Sequence, residues 1–368
     1  MASPCFAIRY LAPEGWWGAV RSFRVNRRGG VGLLGPPSLD GGWTTSIPTL
    51  FSTMPIPYAH NAPAMTLAAE VAGMSNQIHH GDNLEVLRTL PDAGVDMIYI
   101  DPPFNTGKHQ TRTQIRTTAS ANGDRVGFQG RRFQTTKIGT RSFADAYDDY
   151  LGFLEPRLEE AYRVLTGNGT LYVHLDYREV HYVKVLLDGI FGRASFLNEI
   201  VWAYDYGGRP KNKWPPKHDN ILVYVKDPEN YVFNYDAIDR IPYMAPGLVG
   251  PEKAARGKMP TDTWWHTIVP TNGREKTGYP TQKPLGIVKR MILASSHPND
   301  VVLDFFAGSG TTGEACRQTG RRFMLVDESE EALKVMAKRF AGMADIDWVG
   351  YDPVLFQSEN GATQRGLF

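Results

Sequence analysis

Residues 301–316 read VVLDFFAGSGTTGEAC. An apolar run ends on Asp304, a glycine-rich turn follows, and the chain then continues without a breaker. A short apolar run bounded by such a turn is the pattern of a strand buried on both faces. Gly308, Gly310 and Gly313 match G-x-G-x-x-G, and Asp327 ends the next apolar run, RRFMLVD. Glycines at this spacing let the backbone turn tightly into a helix and approach a ligand, and the acidic residue can hold ribose hydroxyls. The unit commits the chain to an α/β fold, a mostly parallel sheet with helices on both faces.

The rest of the chain repeats that grammar. VDMIYI, at 95–100, is a second near-continuous apolar strand, and QIHH, GTLYVHLD, FLNEIVWAY and NILVYVKD read as further strands. GDNLEVLRTL carries Leu84, Leu87 and Leu90 on one helical face, and 147–165 carries a longer stripe in which Pro156 marks a kink or a first turn. QKPLGIVKRMILASS is a helix with Leu285, Val288, Met291 and Ile292 facing inward. ESEEALKVMAKRF is acidic at its start and basic at its end, as the helix dipole prefers. Residues 108–141 read as a polar loop with scattered glycines, and no internal repeat is visible.

Residues 1–75 are rich in Gly, Pro, Ser and Thr and lack periodicity, so they are expected to be a disordered, dispensable extension, with Met54, Met65 and Met74 as alternative starts. The two cysteines, Cys5 and Cys316, are far apart, which argues against a disulfide framework and fits a cytoplasmic protein. No stretch reaches the ~18 apolar residues of a membrane span. His79 and His80 beside Asp82 match no ligand spacing, so no metal is expected.

Taken alone, the glycine turn suits a nicotinamide dinucleotide as well as S-adenosylmethionine. A dinucleotide needs the helix N-terminus for its pyrophosphate. Asp304 directly before the turn would repel that group, yet suits the ammonium of S-adenosylmethionine.

The second strand raises a chemical question. VDMIYI delivers Asp101 at its end, followed by Pro102, Pro103 and Phe104. Open α/β sheets place their ligand crevice at that end of the strands. The prolines lack amide donors and stiffen the chain. The tetrad therefore offers a carboxylate, carbonyl acceptors and an aromatic face, but no donors. That is a grip for an amino group on a flat ring, with its lone pair freed to attack an electrophile.

With both motifs in hand, the chain resembles the DNA amino-methyltransferases, and through DPPFNTG, YPTQKP and VVLDFFAGSGTTGEA the β group of that family. In that group the catalytic tetrad precedes the cofactor turn, a circularly permuted order. Within that group the chain resembles the modification subunits of type III systems and related stand-alone enzymes. The resemblance covers roughly residues 77–341. It implies a Rossmann-like S-adenosylmethionine-dependent fold with an inserted target-recognition region. Asp101 and the Pro102 carbonyl would hold the target amine beside Pro103, and Phe104 would stack on the base. Phe306, Ala307, Gly308, Ser309, Gly310 and Thr311 would line the methionine part of the cofactor, and Asp327 would hold its ribose. Asp82 would lie near its adenine. Thr281 and Lys283 would reach its carboxylate. Phe104 departs from the tyrosine commoner in the group, which keeps stacking and loses a hydroxyl contact. An aspartate-led tetrad favours adenine N6, and cytosine N4 is the alternative.

The implied division is a catalytic half at 76–204, a target-recognition region at 205–275, a cofactor-binding half at 276–345 and a tail at 346–368. A base inside a duplex must flip out to reach such a pocket, at a cost of a few kcal/mol. The whole chain carries a net charge of only +1, so phosphate contacts must be local. Residues 108–141 supply them: Lys108, Arg112, Arg116, Arg125, Arg131, Arg132, Lys137 and Arg141 stand against Asp124 alone, a net +7. Lys211 and Lys213, in RPKNKW, are further candidates for DNA contact, whereas Trp264 and Trp265 are assigned to the core. Double-stranded DNA is the expected partner, with a restriction subunit and a homodimer as further ones, and a cytoplasmic, nucleoid-associated location follows. A dehydrogenase would explain only the glycine turn, and a DNA-binding module neither motif. Methylation of an amide or an RNA base is disfavoured by the basic segment.

Overall fold

A computed structural model of the chain describes residues 75–105, 108–119, 125–126, 132–145, 147, 149–270 and 273–354. The expected N-terminal extension, Arg131, and most of the tail lie outside the described residues.

A nine-stranded sheet forms the centre. Its strands are β1 (Asn76–His80), β2 (Val95–Ile100), β6 (Leu165–Leu175), β7 (Phe196–Ala203), β8 (His218–Val225), β9 (Thr263–Trp265), β10 (Val301–Asp304), β11 (Arg322–Asp327) and β12 (Ile346–Val349). Their order across the sheet is β12-β1-β11-β10-β2-β6-β8-β7-β9. Only β8 runs against its neighbours; the other pairings are parallel. β8 turns back because the 14 residues between Ala203 and His218 contain no helix to carry a parallel crossover.

Helices cover both faces. On one side lie α1 (Asn83–Thr89), α2 (Tyr150–Val164) and α3 (Val180–Phe191), whose Leu87, Leu154, Leu158, Val183 and Leu187 join one core. α4 (Pro251–Arg256) is a short surface turn with no buried residue. On the other side lie α5 (Leu285–Ser295), α6 (Thr311–Thr319) and α7 (Glu330–Arg339), packing Ile287, Met291, Cys316, Leu333 and Met336 into a second core. Strand β2 divides its side chains between the cores, Ile98 and Ile100 to one and Met97 and Tyr99 to the other. That explains why its sequence is apolar throughout rather than alternating.

Three expectations are revised. Residues 108–141 are not a loop: β3 (Lys108–Ala119), β4 (Arg125–Val126) and β5 (Arg132–Asp145) form a separate antiparallel sheet in the order β3-β5-β4. Their threonine-rich sequence is β-prone but has no apolar face to reveal a period. Pro156 sits inside α2 rather than at its start. The stretch 205–275 contributes β8 and β9 to the central sheet, which leaves the connections around them as its projecting parts. Helix α3 and strand β12 had not been expected.

Candidate active site

The sheet brings the two motifs together. Val302 pairs with Met97 and Leu303 with Ile98, so β10 and β2 are neighbours. The Asp96 carboxylate reinforces the junction by accepting the Val301 amide at 2.9 Å. From β10 the chain proceeds outward to β11, and from β2 it proceeds the other way to β6. The β10–β2 boundary is therefore the switch point at which open α/β sheets bind ligands. Asp101 and the glycine turn both leave the sheet there, although 200 residues separate them.

The turn is held by its own backbone. Gly308 has φ 50° and donates to the Asp327 carboxylate at 2.7 Å, and Asp327 also accepts from Ser329 at 2.9 Å. Burial pushes the Asp327 carboxyl up to about 6, opposed by those two amides. Gly310 has φ 70°, and a Cβ there would lie 2.8 Å from Met336 Cγ. A Cβ on Gly313 would meet the Phe340 ring at 2.8 Å, so this glycine lets α6 pack closely. Ser309 and Thr311 are buried and share a 3.1 Å hydrogen bond, Ala307 is buried, and Phe306 is partly so.

Asp304 does not face a ligand. It is 3 % exposed, and its two oxygens accept from the Phe306 amide at 3.1 Å and the Thr312 hydroxyl at 2.5 Å. It braces the start of α6 from below, which corrects its expected role as the partner of a ligand ammonium. Burial pushes its carboxyl up to about 7. The folded state therefore keeps this proton to a higher pH than the unfolded chain does. Stability is lost as pH rises from the unfolded value of 3.8 towards 7. Asp304→Asn is expected to flatten the fall in Tm between pH 5 and pH 8; an unchanged slope would remove Asp304 from that account.

Asp82 caps α1, accepting from Leu84 and Glu85, and its second oxygen receives Arg157 at 3.0 Å. Arg157 also holds Asn83, whose amide reaches the Phe305 carbonyl at 2.7 Å. Asp82 thus stands beside the turn, tied to it through two side chains.

One carbonyl of the tetrad is taken. Tyr150 donates to the Pro103 carbonyl at 2.6 Å. Asn105 has φ 49°, accepts from the Tyr147 amide and donates to Glu179. The grip therefore narrows to Asp101 and the Pro102 carbonyl. One Asp101 oxygen pairs with Lys283; the other is buried without a hydrogen-bond partner. The Lys283 ammonium also lies 4.9 Å from the centroid of the Phe104 ring. The TQKP segment therefore reaches the Asp101 carboxylate directly. Thr281 next to it holds φ 56°, a conformation that strains a β-branched residue and that recurs at functional turns.

Sequence reasoning missed four side chains. Tyr279 packs over Gly308, 3.1 Å from where a Cβ would be, and burial raises its hydroxyl pKa, with Asp327 and Asp101 adding to the effect. Arg157 was hidden in the α2 stripe. His174, fully buried on β6, and Asp219, buried on β8, lie behind Asp101. The His174 ring is 3.2 Å from the Asp219 carboxylate and 3.0 Å from the Tyr99 hydroxyl. Tyr204 donates to Asp219 at 2.9 Å. Burial pushes the Asp219 carboxyl up, but the hydrogen bond and charge of His174, the Lys283 charge and the Tyr204 hydroxyl outweigh it and leave it low. The signal was an ionisable residue in each of two otherwise apolar strands, VHLD and HDNILVYV.

Among the basic residues, Arg112 lies on β3 opposite Arg141 of β5, Arg116 pairs with Thr136, and Arg132 is exposed. Lys211 and Lys213 are exposed in the β7–β8 connection. Trp264 is core, whereas Trp265 is 79 % exposed, a correction to its placement. Adjacent strand residues point to opposite faces, and on this edge strand only the face of Trp264 is covered. His79 is 3.0 Å from Gln77, and the His80 ring approaches the carbonyls of Gly350 and Glu328.

Comparison with known proteins agrees with this geometry. The chain is 30 % identical to the type II methyltransferase M.HpaI of Haemophilus parainfluenzae over 281 residues, covering 76 % of this chain and 78 % of that one. It is 31 % identical to the DNA adenine methyltransferase YhdJ of Escherichia coli K12 over 277 residues, covering 71 % and 81 %. The fold resembles that of the PvuII DNA methyltransferase (cytosine-N4-specific), with a TM-score of 0.52, 15 % identity, and coverage of 80 % of this chain and 94 % of that one. Residues 95–339 match the N6/N4 DNA methylase family, and the chain belongs to it.

Proposed function

We propose that the protein is a site-specific DNA methyltransferase that transfers a methyl group from S-adenosylmethionine to the N6 amine of an adenine flipped out of the duplex. The observation that carries this is the meeting of Asp-Pro-Pro-Phe and the glycine turn at the switch point between β2 and β10. Family membership and the relative named as a DNA adenine methyltransferase support it.

The residues present fit the cofactor. A Cβ on Gly308 would lie 3.1 Å from the Tyr279 ring, so anything larger than glycine fits there only if the ring gives way. Asp327 would hold the ribose, Asp82 the adenine side, the turn from Phe306 to Thr311 the methionine part, and Thr281 and Lys283 its carboxylate end. When bound, S-adenosylmethionine supplies an electrophilic methyl group. The chain's task is then to hold the amine. The partnerless Asp101 oxygen and the Pro102 carbonyl accept its two N–H groups, and Phe104 stacks on the ring. Acceptors on both N–H groups draw the nitrogen towards tetrahedral geometry and leave its lone pair to attack. Orientation of this kind lowers barriers by several kcal/mol, up to roughly 7–11.

Double-stranded DNA is gripped by the basic β3–β5 sheet and by Lys211 and Lys213, with target recognition in the segments flanking β8. Neutralising Arg131 and Arg132 together is expected to weaken DNA binding and reduce the salt slope by roughly 1.8; an unchanged slope removes them from the interface. The family likeness adds a homodimer and a restriction partner, the first checked by light scattering. Among the described residues no helix is long and apolar enough to cross a membrane.

The test is calorimetry with S-adenosylmethionine and NAD, followed by transfer of tritiated methyl groups into methylation-free DNA. Binding of S-adenosylmethionine with label in adenine supports the reading. Label in cytosine selects the N4 alternative, and NAD binding alone rejects both.

A further inference from the structure

We infer that His174, backed by Asp219, is the group that receives, by way of Asp101, the proton released by the methylated amine. This rests on the proposed amine transfer at Asp101.

Four strands contribute to one buried polar line. Asp101 follows Ile100, the partner of Val173, so Asp101 and His174 leave neighbouring strands at the same level. His174 Nδ1 lies 3.9 Å from the Asp101 oxygen that lacks a hydrogen-bond partner. On its far side Nε2 meets Asp219, and Tyr204 of the β7 end closes the line. The ring is wedged between Phe104, 5.8 Å away, and Trp202, 5.4 Å away, so it cannot swing out.

Few charged groups surround the ring. Those facing it are Asp101 of the tetrad, Asp219 of β8 and Lys283 of the TQKP segment; Tyr99 of β2 and Tyr204 of β7 are neutral. Asp176, just beyond β6, is paired with Arg178.

The proton balance is as follows. When the amine nitrogen forms its bond to the methyl carbon, the carbon–sulfur electron pair stays with sulfur, and the nitrogen becomes positive. It loses one proton to the Asp101 oxygen that accepted its hydrogen bond. Asp101 passes that proton to His174 Nδ1 and is again a carboxylate. Asp219 accepts from Nε2–H throughout, and the Tyr99 hydroxyl turns from donor to acceptor as Nδ1 gains its hydrogen. A second turnover requires the ring to release the proton, by way of Asp219 and Tyr204, to solvent.

The test uses His174→Asn and Asp219→Asn in the full chain, with single-turnover methyl transfer followed from pH 5.5 to 9. S-adenosylmethionine affinity and Tm are measured in parallel. The wild type is expected to show a rate that rises with pH through the histidine range and then levels. Both variants are expected to keep their cofactor affinity, lose that inflection, and fall by about 10²-fold in rate, the lower range for an acid–base group. Tyr204→Phe, which removes one hydrogen bond, is expected to shift the inflection without removing it. A folded variant at either position that keeps the wild-type rate and inflection overturns the inference. If His174→Asn does not fold, the Asp219→Asn profile decides alone. A wild type that methylates no adenine fails the proposed function instead, which keeps the two outcomes apart.

Discussion

Asp101→Ala is expected to abolish methyl transfer while leaving S-adenosylmethionine binding intact. The carboxylate meets the amine and not the glycine turn, so it contributes to orientation rather than to cofactor affinity. Losing an orienting contact worth even ~4 kcal/mol lowers the rate by about 10³-fold. The substitution also strips Lys283 of its partner, and its side chain is only 11 % exposed. Removing one member of a nearly buried pair destabilises by roughly 3–5 kcal/mol. Asp101→Ala paired with Lys283→Met separates the two effects. With transfer measured at saturating S-adenosylmethionine, since Lys283 is itself assigned to the cofactor's carboxylate end, the double variant should regain much of the lost Tm and none of the activity. Calorimetry and single-turnover transfer on both proteins check this, and restored transfer would remove Asp101 from the mechanism.

Gly310→Ala is expected to be the most damaging change in the cofactor half. At φ 70° an L side chain is strained, and the added carbon would sit 2.8 Å from Met336 Cγ and 3.1 Å from the Phe340 ring. The left-handed conformation costs about 1–2 kcal/mol, and overpacking a filled core a further ~1–3 kcal/mol. Relief requires the turn to shift away from α7, which breaks the Gly310 amide's 2.8 Å bond to the Ala307 carbonyl and moves Gly308 off Asp327. Stability and cofactor affinity should therefore fall together, in denaturant melts and in calorimetry. A variant with normal stability but lost binding would mean that the turn is not coupled to α7. At Gly320, also at positive φ but with open space around its Cα, alanine should cost only the backbone term.

The central strands and helices were legible because burial on two faces leaves a simple record: unbroken apolar runs for β2 and β10, and a 3.6-residue stripe for α2 and α5. The site's two poles were legible for a different reason. Asp101 with its prolines, and the glycines around Ser309, interrupt apolar runs at the strand ends, where open α/β sheets place their ligands. Part of what escaped depends on packing rather than on the local pattern. His174 is one ionisable residue in an apolar strand until Asp101, Tyr99 and Asp219 surround it. Asp304 looked available to a ligand because it directly precedes the glycine turn, and only packing shows Thr312 and the Phe306 amide occupying it. Strands β3 and β5 escaped because their alternation is among polar residues, and hydropathy carries no period there. Helix α3 was missed despite a stripe of Val180, Val183 and Leu187, its start marked only by Glu179, which makes no side-chain cap.

The most direct test of the account is nucleoside mass spectrometry on DNA from a methylation-free host expressing either the wild type or Asp101→Ala. The account predicts N6-methyladenine with the wild type, at one sequence motif by modification-aware sequencing, and none with the variant. N4-methylcytosine in place of N6-methyladenine, or equal N6-methyladenine from both proteins, would contradict it.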